Sequence, residues 1–209
     1  MISLHRKRSV FYPGSKMSEV QSTFRLQPGD PAPEFELPDA AGALHALKDL
    51  RGERGTLVVF ACNHCPFVIH LAGHLGEFAE SIAAKGISSV AVMPNDVENY
   101  PDDHPDKMGP FAEESGWNFP YLYDESQEVA KSWSAACTPD FFLLDAEGNL
   151  FNAGQYDSSR PKNGGEVTGD DLRQAVTALL DGAAPPVDPY PSSGCNIKWK
   201  AGNEPPYFG

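Results

Sequence analysis

The 209-residue sequence predicts an α/β domain with a mixed central sheet flanked by helices. Three observations carry the expectation. Thr56 to Phe60 is a continuous apolar run of strand length, as a buried central strand requires. It is followed by Phe67, Leu71, Leu75, Phe78 and Ile82, spaced as one face of an amphipathic helix. Ile87 to Met93 is then a second apolar strand. Strand, helix, strand in immediate succession is the unit from which parallel sheets are built.

The remaining elements follow in chain order. Pro28, Pro31 and Pro33 precede Phe35 to Leu37, a turn at Asp39 to Gly42, and Leu44 to Leu47, which together read as a small N-terminal hairpin. Gly86 stops the long helix. Residues 94–134 form an inserted segment. It holds a polar, Pro-bearing loop to residue 106, a helix over 107–115, a short strand from Phe119 to Tyr123 and a helix from Glu125 to Ser134. The acidic run Asp96 to Asp106, with His104, reads as a solvated loop. Phe141 to Leu144 and Leu150 to Ala153 make a second hairpin across the turn Ala146 to Asn149. Thr168, with Asp171 three residues on, suggests a capping-box start to a closing helix carrying Leu172, Val176, Leu179 and Leu180. Three units are expected: 1–22, a disordered or artefactual extension with a second possible start at Met17; 23–184, the α/β domain; and 185–209, a proline-rich wrap whose Ile197, Trp199, Tyr207 and Phe208 cover it.

Composition narrows the function. Sixteen basic against 29 acidic residues give a net charge of −13, and four of the basic residues lie in the first sixteen positions, which hold no acid. So acidic a body repels phosphate backbones, which argues against nucleic acid as a partner. No apolar run approaches the roughly 20 residues of a membrane helix, and the N-terminal stretch lacks the apolar segment of a secretory signal. The expected setting is the cytoplasm, where thiols are kept reduced and disulfides are transient or catalytic.

The four cysteines are judged by position. Cys62-Asn63-His64-Cys65-Pro66 lies between the central strand and the long helix. A first cysteine at a helix N-terminus has its thiolate stabilised by free N–H groups and the helix dipole. The second, one turn inside, can close a disulfide with it. His64 adds positive charge that lowers the Cys62 thiol further, and Pro66 suits the first helical turn. A CxxC inside a β-α pattern is a redox signature. Half of a zinc site is the alternative, and it needs two more ligands, for which His70, His74 and Cys195 are the candidates. His70 and His74 read more simply as a packed or solvated helix face.

Strand, CxxC and helix, followed by Cys137-Thr138-Pro139 leading into a strand hairpin and a last helix, resemble the thioredoxin fold. The opening Gly29 to Phe35, the 94–134 insertion and the stretches Phe60 to Phe67, Cys137 to Asp140 and Gly194 to Trp199 resemble the alkyl hydroperoxide reductase and thiol-specific antioxidant (AhpC/TSA) redoxins, in particular a peroxiredoxin-like group with CxxC. The resemblance implies that Pro139 is cis and packs on the CxxC, and that the Thr138 main chain pairs with a bound substrate strand. It implies a thiol-disulfide oxidoreductase acting through Cys62 and Cys65 on protein or small-molecule thiols and disulfides, with no cofactor beyond the redox-active disulfide and no metal. A thiol peroxidase reducing hydroperoxides through Cys62 is the alternative, and a redox sensor or zinc module a third. Where peroxiredoxins carry Pro and Thr before the peroxidatic cysteine, this chain has Gly55 and Val59. Where thioredoxins carry a buried carboxylate and Trp, it has Thr56 and Ala61. Cys137 reads as a packing residue or a further redox thiol, and Cys195 as a resolving thiol or a packing residue. Arg160 reads as a solvated loop residue. The sequence leaves the oligomeric state open.

Overall fold

The computed structural model describes residues 18–208. The chain runs β1 (Glu19–Gln21), β2 (Glu36–Pro38), β3 (Leu44–Ala46), α1 (Leu47–Leu50), β4 (Gly55–Phe60), α2 (Pro66–Ala83), β5 (Ile87–Met93), a 3-10 turn (Pro101–Asp103), α3 (Pro105–Glu114), β6 (Tyr121–Tyr123), α4 (Glu128–Ser132), β7 (Cys137–Thr138), β8 (Asp140–Leu144), β9 (Leu150–Gly154), α5 (Asp170–Leu180) and β10 (Ser193–Asn196). The main sheet has the order β6-β5-β4-β8-β9. Its β4, β5 and β6 are parallel, and β8 and β9 are antiparallel additions beyond β4, so the sheet is mixed as the sequence predicts.

β4 is buried along its whole length because both faces are covered. Leu57 and Val59 face a core with Leu75, Phe78 and Ile82 of α2 and Val176 of α5. Val58 and Phe60 face the other core, with Val90, Val92, Phe142 and Trp133. The period-two alternation of a strand divides one apolar run between two cores. Trp133 stands edge-on to Phe60 at 5.9 Å and Phe142 at 5.3 Å, and its indole N–H donates to Pro33 O at 3.0 Å. The inserted segment is tied to α2 by the Trp117 indole N–H, which donates to Ala72 O at 2.9 Å.

Four expectations change. The extension does not reach residue 22: Glu19 to Gln21 form β1, paired with β10, while the first seventeen residues lie outside the described range. The polar loop after β5 is shorter than expected, because the helix begins at Pro105. The helix expected from Glu125 is one turn, Glu128 to Ser132, since Gln127 takes a left-handed conformation before it. α5 has no capping box. Gly169, with φ of +66°, precedes it, and Thr168 Oγ1 accepts only the Asp170 N–H at 3.3 Å. The Asp171 carboxylate is already engaged by the Gln155 amide at 2.6 Å.

A second, three-stranded sheet, β1-β10-β7, lies beside the end of the main one. Cys195 faces Thr138 in β7 and Glu19 in β1. The C-terminal segment therefore enters the fold as a central strand of this sheet.

Candidate active site

β4 ends at Phe60 and α2 begins at Pro66, so both cysteines lie in the connection. Cys65 is the residue before the helix, with extended φ and ψ of −67° and 121°, and is not one turn inside it as expected. Pro66 is the cause, because a proline disfavours the helical conformation of its predecessor. The Cys65 carbonyl still accepts the first helical bond, from the Ile69 N–H at 2.9 Å.

The Thr138–Pro139 bond is cis, and Thr138 lies against both cysteines. Its hydroxyl is 3.4 Å from Cys62 Sγ, and its carbonyl accepts from the Cys65 thiol at 3.0 Å. The groove that the resemblance assigns to a substrate strand is filled from within. Thr138 is fully buried and its main chain pairs with β10.

The acidic run is solvated only in part: Glu98, Asp102, His104 and Asp106 are exposed, but two of its carboxylates turn inward. Asp103 is completely buried, Asp96 nearly so, while Asp102 next to it is exposed. Asp103 accepts from the backbone N–H groups of Asn63 at 2.8 Å and His64 at 3.2 Å, from the His64 Nδ1–H at 2.6 Å and from the Asn95 amide at 2.8 Å. A buried carboxylate with four donors is satisfied, and it fixes the turn between the cysteines. The His64 ring stacks on Tyr100 at 5.7 Å, and its Nδ1 is 4.0 Å from Cys62 Sγ. Burial alone would lower the His64 pKa, but the hydrogen bond and charge of Asp103 raise it above the usual value. Sequence reasoning missed Asp103, because nothing in Asp102-Asp103 distinguishes the buried carboxylate from the exposed one.

The thiols differ from the sequence expectation. Cys62, expected to be lowered, is pushed well up by burial, by the hydrogen bond with Cys65 and by the charge of Asp103. Cys65 is the thiol pulled below the ordinary range. Burial opposes this, but hydrogen bonds from Cys195, Cys62 and Thr138 overcome it. Cys195 is raised by its hydrogen bond with Cys65 and then by burial. As a thiol, Cys65 donates to the Thr138 carbonyl at 3.0 Å. Cys137 is buried, its thiol turned to Pro139 O at 3.4 Å, and burial raises its pKa.

Other candidates fall elsewhere. His70 bonds Ser159 Oγ at 3.1 Å and His74 bonds the Tyr156 hydroxyl at 2.5 Å, which occupies both in packing. Arg160 is half-buried, held by the carbonyls of Asp157 and Ser159 and by Gln155 Oε1 at 2.8, 2.7 and 2.6 Å, in contrast to the solvated residue expected. Among the described residues, Cys62 Sγ, a ring nitrogen of His64 and a carboxylate oxygen of Asp103 are possible metal donors within 4.8 Å of one another. They are one donor short of a four-ligand zinc site, and the imidazole–carboxylate separation is that of a hydrogen bond. No helix among the described residues is long and apolar enough to cross a membrane.

Residues 28–152 match the model of the AhpC/TSA family. A Mycobacterium tuberculosis protein provisionally named as a peroxiredoxin is 33% identical over 116 residues, which cover 56% of this chain and 69% of that one. The thiol-disulfide oxidoreductase ResA of Bacillus anthracis is 24% identical over 126 residues, 60% of this chain and 68% of that one. The crystal structure of an uncharacterized conserved protein from Geobacillus kaustophilus superposes with a TM-score of 0.85 at 46% identity, covering 89% of this chain and 98% of that one.

Proposed function

Because the chain belongs to the AhpC/TSA family, we propose that it is a thiol-disulfide oxidoreductase that cycles Cys62 and Cys65 between dithiol and disulfide. Its partners are protein or small-molecule thiols and disulfides, and its setting is the cytoplasm, where a thiol pool can reduce it between turns. One observation carries the reading: Cys62 and Cys65 meet on one residue at the end of the central strand, with the Thr138 hydroxyl 3.4 Å from Cys62 Sγ and the Thr138 carbonyl accepting from the Cys65 thiol at 3.0 Å.

Cys62 is the entering thiol. It adjoins Asn63 and His64, the half-buried corner of the site, whereas Cys65 is turned to the buried Thr138 carbonyl. As Cys62 attacks one sulfur of a disulfide, its proton passes to the other half of the substrate, which leaves as a thiol. The Cys65 thiolate then attacks Cys62 Sγ, which releases the second half as a thiolate and leaves the Cys62–Cys65 disulfide. The His64 imidazolium, held by Asp103, offsets negative charge developing at Cys62.

Hydroperoxide reduction at Cys62 is the second reading. Val59 brings no hydroxyl and is buried in the core, but Thr138 Oγ1, 3.4 Å from Cys62 Sγ, supplies one from another strand. Cysteine trapping with mass spectrometry across a graded thiol/disulfide buffer decides between the two. Reversible formation of an intramolecular disulfide that Cys62→Ser abolishes, with peroxide reacting no faster than with a free thiol, supports the exchange reading. Rapid formation of Cys62 sulfenic acid overturns it in favour of the peroxidase.

A further inference from the structure

We infer that Cys195 is a third redox thiol of this site, which takes over the disulfide from Cys62 by attacking Cys65. The inference rests on the exchange reading above and adds an internal acceptor to it. Cys195 lies opposite Thr138 across the antiparallel pair of β10 and β7, the Cys65 thiol donates to the carbonyl of that same Thr138 at 3.0 Å, and both cysteines are buried in one core. The Thr138 hydroxyl lies 3.4 Å from Cys62 Sγ, so the three cysteines gather around one residue of β7.

The close approach is built into the backbone. A Cβ at Gly194 would stand 2.1 Å from the Thr138 carbonyl oxygen, so only glycine lets β10 lie this near. The strand is held on both edges. Glu19 of β1 faces Cys195 on one side, and the Ile197 N–H donates to Ala136 O at 3.1 Å on the other. The following residue, Lys198, is buried, with its main-chain N–H on Asn95 Oδ1 at 2.9 Å, the same asparagine that binds Asp103. Cys195 is therefore a fixed member of the site. Cys137, equally buried, points its thiol at a carbonyl, which suits a packing residue.

The step is a thiol-disulfide exchange with no net oxidation. The Cys195 sulfur forms a bond to Cys65 Sγ, the Cys62–Cys65 bond breaks, and its electron pair stays on Cys62. The proton lost by Cys195 ends on Cys62. Cys62 is then free to attack a second disulfide. With Cys65 engaged, the mixed disulfide on Cys62 has no resolving thiol and persists.

Oxidised glutathione in excess, applied to the full-length protein, tests this. The reaction is quenched in acid, free thiols are alkylated, and peptides are mapped by mass spectrometry. The expected product is a Cys65–Cys195 disulfide with glutathione on Cys62. In Cys195→Ser and Cys195→Ala the product becomes Cys62–Cys65, and the glutathione adduct falls by about tenfold or more. A wild-type product of Cys62–Cys65, with Cys195 alkylated, overturns the inference and leaves the proposed function standing. Absence of any intramolecular disulfide overturns both.

Discussion

The two cysteines of the CxxC lie three residues apart yet face different surroundings. On the Cys62 side the neighbours are polar: His64, Asp103 and the hydroxyl of Thr138. On the Cys65 side they are a backbone carbonyl, that of Thr138, and the strand that sets Cys195 opposite Thr138. Burial is common to both, but hydrogen bonding and charge send their pKa values in opposite directions. The polar side is assembled by a segment about forty residues along the chain. The sulfur side depends on a strand from the C-terminal segment. Two elements remote in sequence thus adjust two adjacent thiols separately, through a motif that contains neither.

That contrast can be broken from the polar side first. Asp103→Ala leaves the Asn63 and His64 N–H groups and the Asn95 amide without an acceptor in a buried setting. Denaturant unfolding should show a loss of about 3–5 kcal/mol. Asp103→Asn should lower the His64 pKa, followed by NMR. The sign is fixed by the raised value in the fold. The stability from protonated His64 is complete below about pH 6.5 and is lost as the pH rises through the raised value. Removal of the carboxylate should flatten that dependence.

On the sulfur side, Gly194→Ala should cost about 1–3 kcal/mol by forcing β10 away from Thr138. It should also slow any disulfide that includes Cys195, while Cys62–Cys65 still forms. An unchanged rate for Cys195 would mean that the close strand approach is irrelevant to its chemistry.

Asp140 tests whether ionisation behind the site matters. It is buried, its Oδ1 has no hydrogen-bond partner among the described residues, and burial raises its pKa from 3.8 to about 7. The fold favours the neutral carboxyl. The contribution is complete below the unfolded value and is lost as the pH rises through about 7. Inside that window the slope is at most about 1.4 kcal/mol per pH unit. Asp140→Asn should therefore raise Tm more at pH 8 than at pH 5. A smaller effect still is expected of Lys107→Ala, which removes an exposed pair with Asp102 at 3.1 Å and should change stability by about 0.5 kcal/mol or less. A large effect would show that the turn carrying Asp103 depends on its exposed neighbour.

Much of the scaffold was legible because it is periodic. The run from Thr56 to Phe60 and the spacing of Leu71, Leu75, Phe78 and Ile82 report one-dimensional patterns that burial enforces. The CxxC was legible because strand, motif and helix agree. Asp103 was not, since its burial depends on a 3-10 turn folding over the Asn63-His64 amides, a contact with no local pattern. The direction of the Cys62 shift was lost for the same reason. β1 was missed because a three-residue strand has too little period to register. Cys195 was noticed as a residue, but its place beside Cys65 follows from strand pairing between distant segments.

The second sheet also has a temporal consequence. Its central strand is synthesised after every other described element, and chains leave the ribosome N-terminus first. A nascent chain can close β4 against β5 and α2 while β10 is still unmade, with the Thr138 edge uncovered. For that interval the CxxC has only its two own sulfurs, and the unpaired edge of β7 is open to other chains. The arrival of β10 then converts an open dithiol into the enclosed arrangement of three cysteines.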